Sequence, residues 1–319
     1  MALELDPEIL QAALAMMGTG YELPAPAARG DWKTLRGTGE AALAAMEAAL
    51  PEHPSVSRTD YQASSCDGAP VLLRWYAPPG HDPGTAGPGV VYLHGGGMIA
   101  GTIELHDRMV AAYVADSGVP MLSVDWRRAP EHPHPCPVED GYAGLAWLAA
   151  NAGDLGVDPA RIALMGDSAG GGLAAGAALL ARDRGTPVAR QILIYPMLDD
   201  RTTVPDPFLV PYAGWSYDDN YTGWHALLGD ALGRPDVPAA AAPARARDLV
   251  ALPPAYVEVG ELDIFRDEAT EYARRLSAAG VSAELHVHPG CPHGFDRVAP
   301  TADVVRRSRA DRLRVLTSL

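Results

Sequence analysis

The amino-acid sequence predicts an α/β protein built on one mainly parallel sheet that helices cover on both faces. The main observation is a regular alternation of short apolar strands and longer helical segments between residues 89 and 195 and again after residue 255. Such alternation is typical of right-handed crossovers between parallel strands. The composition agrees, because 319 residues with 48% hydrophobic content can form a substantial core, in one large domain or two smaller ones.

The first 52 residues predict two amphipathic helices before any strand. Asp6 can cap the first helix, with Pro7 at its first position and Gly18 at its end. Residues 40–50 predict the second helix, and the Pro-, Ala- and Gly-rich residues 20–39 predict a loop between the two. From the residues alone, these helices fit an N-terminal addition and a lid over a site equally well.

Two antiparallel strands follow, over residues 56–63 and 71–77, and a Pro- and Gly-rich surface loop over residues 78–88 leads into the alternating part. The predicted strands are 89–93, 120–124, 161–165, 190–195, 255–259 and 283–288, and the predicted helices are 104–117, 138–151, 169–184, 266–279 and a terminal helix from 302. Parallel strands bring their carboxyl ends to one edge of the sheet. Loops that are distant in sequence therefore meet at that edge.

Residues 199–247 interrupt this alternation. They contain several aromatic side chains, among them Phe208, Trp215 and Trp224, followed by a Pro- and Ala-rich run without a clear strand. Because the α/β pattern resumes afterwards, we interpret the segment as an insertion and not as a linker. Its aromatic residues fit the core of the insertion and the wall of a substrate site.

The charge and the cysteine content exclude several classes of protein. A net charge of -15 argues against nucleic acid or an anionic membrane surface as a partner, since both require a basic surface. The three cysteines, Cys66, Cys136 and Cys291, are too few for a disulfide framework. The acidic start does not resemble a signal peptide, and no apolar run reaches the length of a membrane span. We therefore expect a cytoplasmic protein.

The strongest chemical motif is the segment around Ser168. An apolar run meets Gly166, one polar residue, Ser168, one small residue and Gly170, and a helix-forming stretch follows. This is the G-x-S-x-G pattern of a strained strand-to-helix turn that projects a nucleophilic serine above the end of a sheet. We expect the neighbouring Asp167 to brace this turn.

A serine nucleophile needs a base and an acid. Asp263 and His293 lie in the loops after the last two predicted strands, so the chain order is serine, acid, histidine. In this arrangement His293 would accept the Ser168 proton and Asp263 would orient the ring. Asp267 and Glu268 are rival acids, but both open the following helix and are expected to favour its positive end.

Backbone donors for an oxyanion are the remaining requirement. Residues 90–97 form an apolar strand that runs into three glycines, where the backbone can approach a substrate carbonyl closely. The amide of Ala169, which follows the nucleophile, would supply another donor.

Together these stretches resemble the hormone-sensitive-lipase family of carboxylesterases with the α/β-hydrolase fold. The resemblance runs from about residue 70 to 298, and the segments that carry it are His94-Gly-Gly-Gly97, Asp125-Trp-Arg-Arg-Ala-Pro-Glu-His-Pro133, Gly166-Asp-Ser-Ala-Gly-Gly171, Asp263-Ile-Phe-Arg-Asp-Glu268 and His293-Gly-Phe295. It implies Ser168, Asp263 and His293 as the catalytic triad. It also implies Gly96, Gly97 and Ala169 as the oxyanion donors, with no metal and no organic cofactor.

The resemblance further implies a helical cap made from the N-terminal helices and the insertion. The expected division is residues 1–52 for the N-terminal cap helices, 53–198 for the first part of the core, 199–247 for the cap insertion and 248–319 for the rest of the core. One departure is Arg128, which stands where the family usually has an apolar residue in Tyr-Arg-Leu-Ala-Pro-Glu. That segment is thought to support the oxyanion loop, so the packing of Arg128 is open.

Other candidate residues have structural interpretations. His286 and His288 alternate on a strand and share a face, but no Cys or carboxylate cluster of metal-site spacing accompanies them. The prolines in His132-Pro-His134-Pro-Cys136 favour a structural loop over a metal site. Cys291, two residues before His293, is expected to pack against the site.

We therefore predict a carboxylesterase that hydrolyses short- to medium-chain acyl esters of small molecules through an acyl-enzyme. The alternatives are the same machinery acting on amides, carbonates or lactones, a long-chain lipase, and a non-catalytic ligand receptor. Plant hormone receptors that resemble this family have lost the catalytic histidine, whereas His293 is present here. Homodimerisation is left open.

Overall fold

The fold is known from a computed structural model that describes residues 3–18 and 26–319. Within these residues, eight strands form a single sheet in the order β1-β2-β4-β3-β5-β6-β7-β8. The strands are β1 (Ser57–Ser64), β2 (Pro70–Ala77), β3 (Gly87–Leu93), β4 (Met121–Val124), β5 (Val157–Asp167), β6 (Arg190–Ile194), β7 (Ala255–Gly260) and β8 (Ala283–His288). Strand β2 runs antiparallel to β1 and β4, and all other neighbours are parallel, as predicted.

Helices cover both faces of this sheet. They are α1 (Pro7–Gly18), α2 (Trp32–Ala49), α3 (Asp107–Ser117), α4 (Cys136–Ala150), α5 (Ala169–Arg184), α6 (Tyr217–Leu228), α7 (Arg266–Ala278), α8 (Phe295–Val298) and α9 (Asp303–Thr317). Helix α5 is buried along most of its length, because its Gly and Ala residues allow close packing on the sheet. Of the helices described, none is both long enough and apolar enough to cross a bilayer.

The predicted loop over residues 20–39 is wrong in its second half, because α2 already begins at Trp32. The carboxylate of Asp31 caps the helix by accepting a hydrogen bond from the backbone N–H of Thr34 at 3.1 Å. Two glycines inside the helix, Gly37 and Gly39, suggested a loop, but contacts with the rest of the protein override their weak helix propensity. Residues 19–25 of the predicted loop lie outside the described residues.

The insertion contains a helix, as the expected helical cap implies, but the sequence pattern had not indicated its position. Helix α6 begins with a capping box, in which Ser216 accepts from the N–H of Asp219 and Asp219 accepts from the N–H of Ser216. The Ser-x-x-Asp pattern from Ser216 to Asp219 is the signal that could have revealed this helix. The domain boundaries themselves stay predictions.

The sheet register places four functional loops along one edge. Leu93 pairs with Gly166, Asp167 with Ile194, and Gly260 with His288. The loops that follow β3, β5, β7 and β8 therefore leave the sheet at similar heights. These are the loops that contain the glycine run, Ser168, Asp263 and His293.

Candidate active site

Ser168 occupies a strained turn between β5 and α5. Its φ of 54° and ψ of -122° lie in a region that side chains rarely adopt. The turn needs glycine on both sides: a Cβ on Gly166 would lie 2.2 Å from the Gly170 carbonyl oxygen, and a Cβ on Gly170 would lie 2.0 Å from the Leu93 carbonyl oxygen. The backbone N–H of Ser168 donates to the Ile194 carbonyl at 2.9 Å and fixes the turn on the sheet.

The structure brings Ser168, His293 and Asp263 into one hydrogen-bonded chain. The Ser168 Oγ lies 2.9 Å from Nε2 of His293, and Nδ1 of His293 lies 2.7 Å from Oδ2 of Asp263. Since an ionised carboxylate only accepts, the hydrogen on Nδ1 points to Asp263 and the lone pair of Nε2 faces the serine hydroxyl. The other oxygen of Asp263 accepts from the backbone N–H of Phe265 at 2.9 Å, so the carboxylate has a fixed orientation.

Neither rival acid reaches His293. Asp267 is exposed and pairs with the neighbouring Arg266 at 2.7 Å. Glu268 opens α7 as predicted, but its buried carboxylate accepts the backbone N–H of Leu198 at 2.6 Å and the hydroxyl of Thr202. Burial raises the pKa of Glu268. Its role is therefore to attach the start of the insertion to α7, and the predicted interaction with the helix end is not its main contact.

Of the predicted oxyanion donors, Gly96 and Gly97 line the same cavity as Ser168, and Ala169 directly follows Ser168 in the chain. Gly96 and Gly97 have φ values of 131° and 58°, and a Cβ on Gly96 would collide with the Ala100 carbonyl at 2.0 Å. In the parts of the chain that the structure describes, the N–H groups of Gly96, Gly97 and Ala169 have no protein acceptor. Ala169 is also the first residue of α5, whose positive end favours a negative charge at this point.

Asp167 connects the serine turn to the glycine loop, which is the bracing role predicted for it. Its carboxylate accepts from the backbone N–H of Gly95 at 3.1 Å and from the hydroxyl of Tyr92, and it pairs with Arg297 at 3.2 Å. Burial by itself would raise the pKa of Asp167, but Arg297 and other neighbours lower it to about 2. A fixed, ionised Asp167 therefore orients Gly95 and the glycines that follow.

Helix α2 is attached to the same loop through Arg36. The guanidinium of Arg36 donates to the Ile99 carbonyl at 2.5 Å and the Ala129 carbonyl at 2.8 Å, and it pairs with Glu131 at 2.6 Å. Arg128, the departure from the family pattern, donates to the Gly101 carbonyl. Both arginines thus support the segment that follows Gly97, and the polar side chain at position 128 is accommodated by a backbone acceptor.

A cavity of about 190 Å³ opens in front of Ser168 and His293. Helix α2 forms much of its wall through Leu35, Ala42, Leu43 and Met46, and the indole of Trp215 from the insertion covers Gly97. The cavity wall is mainly apolar, with Arg297 as a charged member. The two segments predicted to form a cap therefore both contribute to this cavity.

Cys291, His286 and His288, which the sequence also brought into consideration, are not part of the hydrogen-bonded chain of Ser168, His293 and Asp263. Cys291 is buried, as its expected packing role requires, and burial raises the pKa of its thiol to about 12, which disfavours the thiolate form. His286 and His288 share a face, as predicted, with ring centroids 6.1 Å apart. His286 also approaches Glu284 and Asp311, a grouping that could hold a metal ion. However, Arg314 already contacts both carboxylates, and its positive charge offsets part of their negative charge.

Sequence reasoning missed Arg36 and Arg297 and did not single out the contact of Trp215 with Gly97. All three act through residues more than 60 positions away in the chain, so local spacing gave no signal for these contacts.

Comparisons with known proteins agree with this fold. A family model describing the alpha/beta hydrolase fold matches residues 90–297. A carboxylesterase of Mycobacterium tuberculosis is 41% identical over 217 residues, which is 65% of this chain and 66%, just under two thirds, of that protein. An ethyl acetate hydrolase of Pseudomonas putida is 32% identical over 302 residues, or 93% of each chain. Among solved structures, a bacterial heroin esterase superimposes with a TM-score of 0.87 and 41% identity, covering 98% of this chain and 97% of the other.

Proposed function

The chain belongs to the hormone-sensitive-lipase-like family of carboxylic ester hydrolases with the alpha/beta hydrolase fold, and we propose on this premise that it is a serine esterase acting on short- to medium-chain acyl esters. The observation that carries the proposal is the hydrogen-bonded chain from Ser168 through His293 to Asp263, at 2.9 and 2.7 Å. It lies beside three backbone N–H groups that have no acceptor among the described residues.

Acylation begins when the Ser168 Oγ attacks the carbonyl carbon of the ester and transfers its proton to Nε2 of His293. The carbonyl oxygen becomes an oxyanion, which the N–H groups of Gly96, Gly97 and Ala169 stabilise. Asp263 stabilises the imidazolium without taking the proton. When the C–O bond to the alcohol breaks, Nε2 returns the proton to the leaving oxygen, and Ser168 retains the acyl group.

Deacylation repeats these steps with water. Nε2 of His293 removes a proton from the water while its oxygen attacks the acyl carbon, and a second oxyanion forms in the same place. Its collapse releases the carboxylic acid and returns the proton to Ser168 Oγ. Every proton in the cycle is moved by His293, so no metal or organic cofactor is required.

The size and polarity of the cavity support small and medium ester substrates. About 190 Å³ of mainly apolar space in front of Ser168 suits an acyl chain of a few carbons. The contact between His293 and Ser168 also favours hydrolysis over a ligand receptor, since a receptor would not need an ordered general base.

The proposal is tested by measuring hydrolysis of nitrophenyl esters from acetate to palmitate. We expect the wild type to cleave the short esters and Ser168→Ala to lose this activity while keeping its fold by circular dichroism. Ser57→Ala, which changes an exposed serine on β1, serves as the control and should retain full activity. Activity that survives in Ser168→Ala, or a folded wild type that cleaves none of the esters, would contradict the proposal.

A further inference from the structure

A second cavity, of about 290 Å³, lies next to the catalytic one. It is bounded by the end of α2, by α3, and by the segment that runs from α8 into α9. Leu50, Met109, Ala112 and Val305 supply apolar wall from these different elements. None of these four side chains lines the catalytic cavity.

The two cavities share two lining residues, Met46 and Arg297. Arg297 is held by Asp167 at 3.2 Å and has a side chain that is 12% exposed. Met46 is half-buried on α2, and an unbranched thioether side chain can adopt several rotamers at small cost. The movable part of the partition is therefore Met46.

Helix α2 passes along both cavities with one face. Leu35, Leu43 and Met46 line the catalytic cavity, and Met46 and Leu50 line the second. These positions are three, four or eight residues apart, so they share an apolar stripe that spans about 22 Å from Leu35 to Leu50. The apolar side chains of this stripe thus line the catalytic cavity as far as Met46 and continue beyond it along the wall of the second cavity.

The charged side chains around the second cavity are already paired. Arg309 pairs with Asp116 at 2.6 Å and Arg312 with Asp296 at 2.5 Å, while Arg297 pairs with Asp167. Since these cations have carboxylate partners, they do not demand an anionic ligand. The apolar wall is what remains for an occupant to contact, and it suits an aliphatic chain.

We propose that the second cavity is a continuation of the substrate site that takes the far end of an aliphatic chain of the ester, with Met46 at the junction as the residue that limits chain length. This inference rests on the proposed esterase function. Short esters would remain in the catalytic cavity. Longer ones would displace the Met46 side chain and enter the second cavity.

The test fills the second cavity without touching the first. Ala112→Leu adds bulk to a wall residue of the second cavity on α3, and Ala115→Leu adds the same bulk to an exposed position of the same helix. Two substrate series are compared: nitrophenyl esters from acetate to decanoate, and acetates of alcohols from ethanol to octanol. The first series extends the acyl half of the ester and the second extends the alcohol half.

We expect Ala112→Leu to keep kcat/KM for the shortest esters within twofold and to lower it at least tenfold for the longest members of one series. Burial of one methylene is worth about fourfold in binding, so excluding two of them gives this loss. The series affected identifies the half of the ester that enters the cavity. Ala115→Leu should match the wild type at all lengths.

Val305→Leu provides an independent variant, because Val305 lines the second cavity from α9 and does not line the catalytic one, and it should produce the same selective loss by reducing the space in the second cavity. A loss of equal size at every chain length, or no loss in either series, would overturn the inference. Failure of the esterase proposal would look different, because the wild type would then be inactive on acetate as well.

Discussion

Replacing Asp263 with asparagine should disable the enzyme by fixing the wrong tautomer of His293. The backbone N–H of Phe265 donates to Oδ1 of Asp263 at 2.9 Å, so the amide oxygen of the asparagine will keep that place. The amide nitrogen must then take the place of Oδ2, which lies 2.7 Å from Nδ1 of His293 in the wild type. Because this nitrogen donates, Nδ1 must accept, and the ring hydrogen moves to Nε2. His293 can no longer take the Ser168 proton.

The expected loss is about 10⁴-fold in kcat, which is the size found when this tautomer is fixed in a serine hydrolase triad. This loss corresponds to about 5 kcal/mol of transition-state stabilisation. The assay is steady-state hydrolysis of nitrophenyl butyrate, with the free energy of unfolding measured in urea to check the fold. Asp267→Asn is the matched control, because Asp267 is exposed and pairs with the neighbouring Arg266, and it should remain within twofold of the wild type. Equal losses in the two variants would refute the assignment of Asp263.

Three further results are expected. Arg297→Met removes the cation beside Asp167 and should misplace the oxyanion loop. We expect kcat for nitrophenyl acetate to fall by about tenfold or more, with a smaller change in KM. An unchanged kcat would count against the role of Arg297 in bracing this loop. Burial would raise the pKa of Glu258, but Arg312 and His288 lower it to about 2, below its ordinary value of 4.5. The ionised Glu258 therefore stabilises the fold above pH 4.5, and this stabilisation is lost as the pH falls towards 2. The free energy of unfolding in urea should decrease over that range, and less steeply in Glu258→Gln. Treatment with a chelator should leave esterase activity unchanged, and a loss that added metal restores would contradict the mechanism.

Much of the core could be predicted from the sequence because its signals are local. The strand before Ser168, the helix after it and the glycines on either side all follow from close approach within one turn, and α5 has the predicted bounds. The loops after β7 and β8 could be placed at the same edge because parallel strands share their direction. The positions of Asp263 and His293 followed from that topology.

The supporting residues could not be predicted in this way. The start of α2 depends on the cap at Asp31 and on contacts that Arg36 makes with Ile99 and Ala129, about 60 and 90 residues later. The partner of Arg297 is Asp167, 130 residues earlier. Such contacts exist only once the sheet has brought distant loops together. Sequence spacing contains no record of them.

The most direct test of the central claim is to trap the nucleophile with a nitrophenyl alkylphosphonate and measure the intact and peptide masses. We predict one phosphonyl group per chain, located on Ser168, with nitrophenol released in equal amount and esterase activity lost in proportion. Ser168→Ala should take up none. An adduct on another residue, or full labelling of Ser168→Ala, would contradict the assignment of Ser168 as the nucleophile.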